Sequence, residues 1–137
     1  IHVPAGSIPK DGPSAGVAMA VAIASFFTGK PVRKDVAMTG ELTLMGRVLP
    51  IGGVKEKLLA ARRAGVTKVI LPLKNKSTVM EFPDYVTSGI EINYVSDAFQ
   101  AIKIALDDDS QFCCAFPSKG QPILPLFPSS TSAECAL

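Results

Sequence analysis

The longest hydrophobic signal in the sequence is an almost unbroken run of Ala, Val, Met, Ile and Phe over residues 14–27. A run of this length without strand-like alternation predicts a helix rather than a strand. Gly29 suits a left-handed cap at its end, and Pro31 prevents further helix. The run is too short and too rich in Ala and Gly to indicate a membrane span. We therefore predict a buried core helix over residues 14–27.

The rest of the pattern alternates short strands with helices. Residues 36–42 and 48–51 are rich in strand formers and flank Met45-Gly46-Arg47, which predicts a hairpin or bent strand pair. Further elements are predicted as a strand end at 1–3, a helix at about 54–64 that ends at Gly65, a strand at 68–72, a short helix at 74–81, a strand at 90–95 and a helix at 98–106 capped by Ser96-Asp97. This order predicts an α+β fold of mixed strands and helices.

Composition indicates one globular domain followed by a tail. The chain has 137 residues, of which 47% are hydrophobic and 19% charged, enough for a single core. After residue 106 the periodic pattern gives way to acidic residues, prolines, Ser and Gly. We predict a domain over residues 1–106 and a disordered tail over residues 107–137. Because Ile1 lies in a predicted strand without a preceding signal peptide, we expect a fragment of a longer protein.

Charge and cysteine content argue against several classes of function. The net charge is +2, and the basic residues are scattered without interleaved aromatics, so nucleic-acid binding through this segment has little support. Cys113, Cys114 and Cys135 are odd in number and lack metal-ligand spacing. We therefore expect no zinc or other metal site, no disulfide framework, no membrane anchor, and a reducing compartment.

Ser14 is the first candidate for a catalytic residue, because it lies where a Gly/Pro-rich loop over residues 4–13 meets the predicted core helix. A helix start offers free backbone N–H groups and the positive end of the dipole, which stabilise an alkoxide and an oxyanion. Gly12, Ala15 and Gly16 would leave room for a peptide to approach, and Gly12, Pro13 and Ala15 would supply the loop backbone around the oxyanion. The alternative is that Ser14 only caps the helix.

A serine nucleophile needs a base, and the single histidine, His2, has no evident acidic partner. Lysine is the other known base for such serines, where burial disfavours the ammonium form. At about 100° per residue, Lys57 falls in the middle of a helical face. That face also contains Val54, Leu58, Ala60, Ala61 and Ala64. Lys57 is therefore a candidate base, whereas Lys55 is predicted on a solvated face; the alternative is that Lys57 extends past the alanines to solvent.

Three further polar residues are candidates for supporting roles. Thr39 interrupts the apolar segment 36–42 and could hydrogen-bond the lysine, and Glu41 could pair with a nearby cation. Asp11 could shape the loop or cap the helix. Ordinary strand and turn roles remain open for each of them.

Three segments of the sequence together resemble a known family. Residues 9–16 (PKDGPSAG), 35–41 (DVAMTGE) and 49–57 (LPIGGVKEK) closely resemble the proteolytic domain of Lon proteases, in the same order and spacing. The resemblance extends from Ile1 to about Leu106. It implies a ribosomal protein S5 domain 2-like fold, incomplete at the N-terminus. It also implies an ATP-dependent serine endopeptidase of the endopeptidase La type, with a Ser14–Lys57 dyad and Thr39 assisting the lysine.

The resemblance implies further properties that depend on other parts of a Lon chain. These are an upstream AAA+ ATPase module that binds ATP and Mg, a homohexameric ring, and unfolded, damaged or regulatory proteins as substrates. No Gly-x-x-x-x-Gly-Lys-Ser/Thr phosphate loop occurs in this sequence, so no cofactor is expected in this segment. Location in the cytoplasm, or in an organelle matrix, is implied. The alternative is a non-catalytic Lon-like scaffold that serves in assembly.

Overall fold

The computed structural model describes residues 12–106. The elements in chain order are α1 Gly16–Thr28, β1 Val36–Met38, β2 Glu41–Leu42, β3 Val48–Leu49, α2 Val54–Arg63, β4 Lys68–Pro72, a 3-10 turn Leu73–Asn75, α3 Lys76–Met80, α4 Asp84–Thr87, β5 Glu91–Val95 and α5 Ala98–Leu106. The predicted strand end at 1–3 and the predicted tail at 107–137 lie outside the described residues.

A three-stranded parallel sheet forms the centre of the fold, in the order β1, β4, β5. Strand β4 pairs with β1 from Val36↔Lys68 onward and with β5 from Lys68↔Glu91 onward. Its residues 69–71 are buried, as expected for a strand with neighbours on both edges and helices on both faces. The predicted hairpin is confirmed as a separate antiparallel pair, β2 and β3.

The two faces of the sheet carry separate hydrophobic clusters. Ile70 points to the face covered by α1 and α5, where it packs with Val17 and Val21. Val69 and Leu71 point to the other face, which is covered by α2 together with the short helices α3 and α4. The mixture of helices and strands predicted from the sequence is therefore confirmed. The more specific ribosomal-protein-like classification stays a prediction.

The strand predicted over residues 36–42 is in fact two strands in different sheets, with Thr39 and Gly40 between them. The physical reason is a competing set of hydrogen bonds. The Gly40 N–H donates to the carbonyl of Ser14 and the Gly40 carbonyl accepts from Val17 N–H, at 2.9 and 3.1 Å. The backbone at Gly40 thus leaves the sheet ladder to bind the loop before α1.

Helix α1 is less buried than the sequence predicts. Val17 and Val21 are buried, but Phe26 and Phe27 near its end are 81% and 73% exposed. The helix is apolar on all sides, yet in the described part of the chain only one stripe of it is covered. The predicted left-handed cap at Gly29 is confirmed, with φ 67°. No helix within residues 12–106 combines the length and apolar character that crossing a membrane requires.

Candidate active site

The backbone around Ser14 forms a tight turn into α1. Gly12 has φ 113°, and the Gly16 N–H donates to the Pro13 carbonyl at 3.2 Å. The residue at the cap position is Ala15, and the helix has no side-chain cap hydrogen bond. The hydroxyl of half-buried Ser14 is therefore not used as a helix cap, and it makes no hydrogen bond with another residue of the described range.

Two close glycine contacts bring this turn against the β1–β2 junction. A Cβ on Gly16 would lie 2.8 Å from the backbone nitrogen of Leu42. A Cβ on Gly40 would lie 2.8 Å from Val17 Cγ2 and 2.9 Å from Val48 Cγ1. Larger residues at these positions would therefore force the two segments apart. The Ser14 turn and the junction pack as one unit, together with the Gly40 hydrogen bonds described above.

Thr39 lies at the centre of the candidate site. Its N–H donates to the carbonyl of Ile70 in β4 at 3.2 Å, which anchors it to the middle strand. Its hydroxyl donates to the backbone carbonyl of Ser14 at 3.1 Å and accepts from Nζ of Lys57 at 3.4 Å. One side chain thus connects the serine turn to the lysine.

Lys57 lies on α2 and is half-buried. Its ammonium group contacts Thr39 rather than extending freely to solvent. Within residues 12–106 it has no carboxylate partner, whereas Lys68 pairs with Glu91 at 3.5 Å. The polar contact that Nζ of Lys57 makes is therefore with a neutral hydroxyl and not with a carboxylate.

The helical face predicted around Lys57 needs correction. Val54, Leu58 and Ala61 are buried, but Ala60 and Ala64 are exposed. The buried stripe is therefore narrower than predicted, and Lys57 lies at its edge, about 60° from its centre at 100° per residue. Lys55 is half-buried as well, so it does not lie on a fully solvated face. What separates the two lysines is the hydrogen bond to Thr39, which only Lys57 makes.

The remaining predicted site residues are less closely involved. Glu41 lies in β2 opposite Leu49 and forms no ion pair within the described part of the chain. Asp11, like His2, lies outside the described residues. Pro13 has no N–H and can shape the turn but cannot donate to an oxyanion. The N–H groups of Ser14 and Ala15 bind no other residue of the described range, so they are the available donors.

Asn75 is a buried polar residue that the sequence analysis missed. Its side chain is hydrogen-bonded to both backbone groups of Ile51, in the loop that leads into α2. In the sequence it stands in a polar segment between Lys74 and Lys76, which is typical of a surface helix. No periodicity signal distinguishes such a residue.

As for metal ligands, residues 12–106 contain no cluster of three or more His, Cys, Asp or Glu side chains that could hold an ion.

Comparison with known proteins identifies the family of this chain. Residues 1–108 match the family model of the Lon protease (S16) C-terminal proteolytic domain. The chain belongs to the Lon protease family. The resemblance of the three segments described above is thereby confirmed, and the turn with Ser14, the junction with Thr39 and the helix with Lys57 all fall within the matched Lon domain.

Individual Lon proteins are similar over most of this chain. It is 52% identical over 122 residues to Lon protease 1 of Thermus thermophilus, covering 89% of this chain and 15% of that protein. It is 60% identical over 107 residues to the Lon protease of Aquifex aeolicus, covering 77% and 14%. A mitochondrial Lon protease homolog of Drosophila melanogaster is 53% identical over 108 residues, covering 79% and 10%. The chain thus spans a small fraction of the length of these relatives.

The close contact at Gly40 generates the first prediction. Gly40→Ala should lower the free energy of unfolding of this chain by about 1–3 kcal/mol, because the new methyl group overlaps Val17 and Val48. Urea unfolding measures the change. The matched control is Gly52→Ala, where an added Cβ meets nothing within 4 Å and the change should stay within about 0.5 kcal/mol. Equal stability of the two variants would contradict the packing described here.

Proposed function

We propose that this chain carries the catalytic centre of an ATP-dependent serine endopeptidase, with Ser14 as nucleophile and Lys57 as general base. The observation that carries the proposal is the pair of hydrogen bonds at Thr39. They connect the Ser14 carbonyl and the Lys57 amine through one hydroxyl, over 3.1 and 3.4 Å. The relatives named Lon protease support a peptidase as the reaction class.

The proposed chemistry is acyl transfer to water. Lys57, with its amine unprotonated, accepts the proton of Ser14 Oγ as that oxygen attacks the peptide carbonyl carbon. The carbonyl oxygen gains the negative charge, and the free N–H groups of Ser14 and Ala15 stabilise it together with the positive end of α1. Lys57 then donates the proton to the leaving amine as the C–N bond breaks. This leaves an ester on Ser14.

Hydrolysis of the ester repeats the sequence with water as nucleophile. Lys57 accepts a proton from the water as its oxygen attacks the ester carbonyl, and returns the proton to Ser14 Oγ as the C–O bond breaks. The products are a carboxylic acid and the free serine. The groups that take part directly in this cycle are Ser14, Lys57, the backbone N–H donors and water.

The proposed role of Thr39 is to orient the base. A lysine has four rotatable side-chain bonds, so a fixed acceptor on Nζ reduces the number of geometries that it samples. Thr39 is suited to this because its own N–H is bound to β4 and its hydroxyl proton is already directed at the Ser14 carbonyl. The hydroxyl lone pairs are therefore left to accept from Lys57. Glu41 and Asp11 have no assigned step in this mechanism.

The wider setting of the proposal follows the family. Unfolded, damaged or regulatory proteins would be the substrates, and the active unit would be a homohexamer. ATP and Mg would be bound by an AAA+ module, since this sequence has no phosphate loop of its own. Cytoplasm or an organelle matrix is the proposed compartment, and one relative is named as mitochondrial. The alternative, a non-catalytic assembly scaffold, would not need Ser14 and Lys57 to be joined through Thr39.

The serine is tested by Ser14→Ala in a complete Lon chain that carries this segment. We expect peptide-bond cleavage to fall at least about 10³-fold, since the attacking oxygen is removed, while ATP hydrolysis remains largely intact. Cleavage of a fluorogenic peptide and release of phosphate are measured on the same preparation. Proteolysis at the wild-type rate would remove Ser14 from the mechanism.

The lysine is tested by comparing two positions on one helix that are both half-buried. Lys57→Met should abolish cleavage while the fold is kept, because Met fills a similar slot without an amine. Lys55→Met is the matched control and should retain most activity, because Lys55 makes no hydrogen bond to Thr39. The two side chains point in directions about 160° apart around the helix axis. An inactive Lys55 variant beside an active Lys57 variant would reverse the assignment of the base.

A further inference from the structure

The loop over residues 50–53 determines where α2, and with it Lys57, begins. It follows the short strand β3, which ends at Leu49, and precedes α2, which starts at Val54. Ile51 lies in its middle and is paired with no strand, so neither of its backbone polar groups has a ladder partner. Partly buried backbone N–H and C=O groups without hydrogen-bond partners raise the free energy of the folded state. These groups of Ile51 therefore need partners outside a sheet.

Asn75 supplies both missing partners. Its Oδ1 accepts from the Ile51 N–H at 3.1 Å, and its Nδ2 donates to the Ile51 carbonyl at 2.9 Å. The side-chain amide thus binds Ile51 as a neighbouring strand would. Asn75 is 5% exposed and is the buried polar residue of the described part of the chain. A buried amide with a partner on both its oxygen and its nitrogen fixes a loop more firmly than an exposed hydrogen bond does.

The position of Asn75 in the fold connects this contact to the candidate site. Asn75 ends the 3-10 turn that directly follows β4, and β4 also holds Thr39 through the Ile70 carbonyl. On the other side, the first turn of α2 closes with the Lys57 N–H donating to the Gly53 carbonyl at 3.2 Å, two residues after Ile51. Both ends of the hydrogen bond between Lys57 and Thr39 are therefore positioned relative to the same strand.

We propose that Asn75 is a positioning residue for Lys57, acting through Ile51 and the start of α2; this rests on the proposed function of Lys57 as a base. The Lys57–Thr39 hydrogen bond is 3.4 Å long, close to the limit of a useful contact. A shift of α2 by a few tenths of an ångström breaks it. Loss of the Asn75 contact therefore lowers the rate of the chemical step more than it weakens substrate binding.

The test uses Asn75→Leu in a complete Lon chain that carries this segment. Leu has a similar shape and cannot bind either group of Ile51. We expect kcat for cleavage of a short peptide to fall about 10- to 100-fold, with KM changed by less than about threefold. A kcat within about twofold of the parent would overturn the proposal.

A matched control separates positioning from general loss of stability. Val86→Ala opens a cavity at a fully buried residue of α4, in the hydrophobic cluster against which Ile51 also packs, and it removes neither of the hydrogen bonds between Asn75 and Ile51. It should lower the melting temperature comparably and leave kcat unchanged. If kcat falls equally in both variants, Asn75 acts only through stability and the proposal is wrong.

A second readout does not depend on catalysis. The rate at which an amine-reactive ester modifies Lys57, measured by peptide mass spectrometry, should change in Asn75→Leu, while modification of Lys68 should not. Unchanged labelling at Lys57 would contradict the proposed positioning. Activity that survives Ser14→Ala would instead refute the proposed function, and the labelling result would still decide whether Asn75 positions Lys57.

Discussion

The candidate site depends on one departure from regular sheet geometry, at Thr39 and Gly40. A strand that continued through Gly40 would use the backbone groups of Gly40 in sheet hydrogen bonds. Instead, Gly40 binds the carbonyl of Ser14 and the N–H of Val17, and the Thr39 hydroxyl binds the same Ser14 carbonyl. Three hydrogen bonds thus fix the turn before α1 against the end of β1. The proposed nucleophile and the proposed base are both held relative to this junction.

Strand β4 is the rigid part against which the site is built. It is paired on both edges and its residues 69–71 are buried, so it has little freedom to move. Its Ile70 carbonyl holds Thr39, and the turn that follows it presents Asn75 to the loop before α2. The separation between the serine turn and the lysine helix is consequently set by the core and not by the flexible side chains alone. This is the arrangement that a preorganised site requires.

Those parts of the fold that carry local signals were predictable from the sequence. Strand β4 follows from its apolar run, and α5 begins at the expected cap, where Asp97 Oδ1 accepts from the Gln100 N–H at 3.0 Å. Ser14 could be selected because it lies where a Gly/Pro-rich loop meets a helix, and Thr39 and Lys57 because each is a polar residue in an apolar segment or on an apolar face. The division of residues 36–42 into two strands could not be predicted, because it depends on hydrogen bonds to a segment more than twenty residues away.

Other features escaped prediction for the same reason. The burial of Asn75 depends on its partner Ile51, which lies 24 residues earlier, and nothing in its neighbours marks it. Ala60 and Ala64 are exposed because only a narrow face of α2 contacts the sheet. The width of that face cannot be predicted from helical periodicity alone. The proposed function of this site could be inferred from the sequence mainly because three separate segments resemble one family. From the residue pattern alone, Ser14 could be interpreted either as a helix cap or as a nucleophile.

The most direct test of the account is the pair Thr39→Val and Thr39→Ser, measured as kcat for peptide cleavage in a complete Lon chain that carries this segment. Valine keeps the branched shape but removes the hydroxyl, so the contacts to the Ser14 carbonyl and to Lys57 are both lost. We expect Thr39→Val to reduce kcat about 10- to 100-fold. Thr39→Ser, which keeps the hydroxyl, should stay within about threefold of the parent. A valine variant with the parent kcat would contradict the claim that Thr39 joins the serine turn to its base.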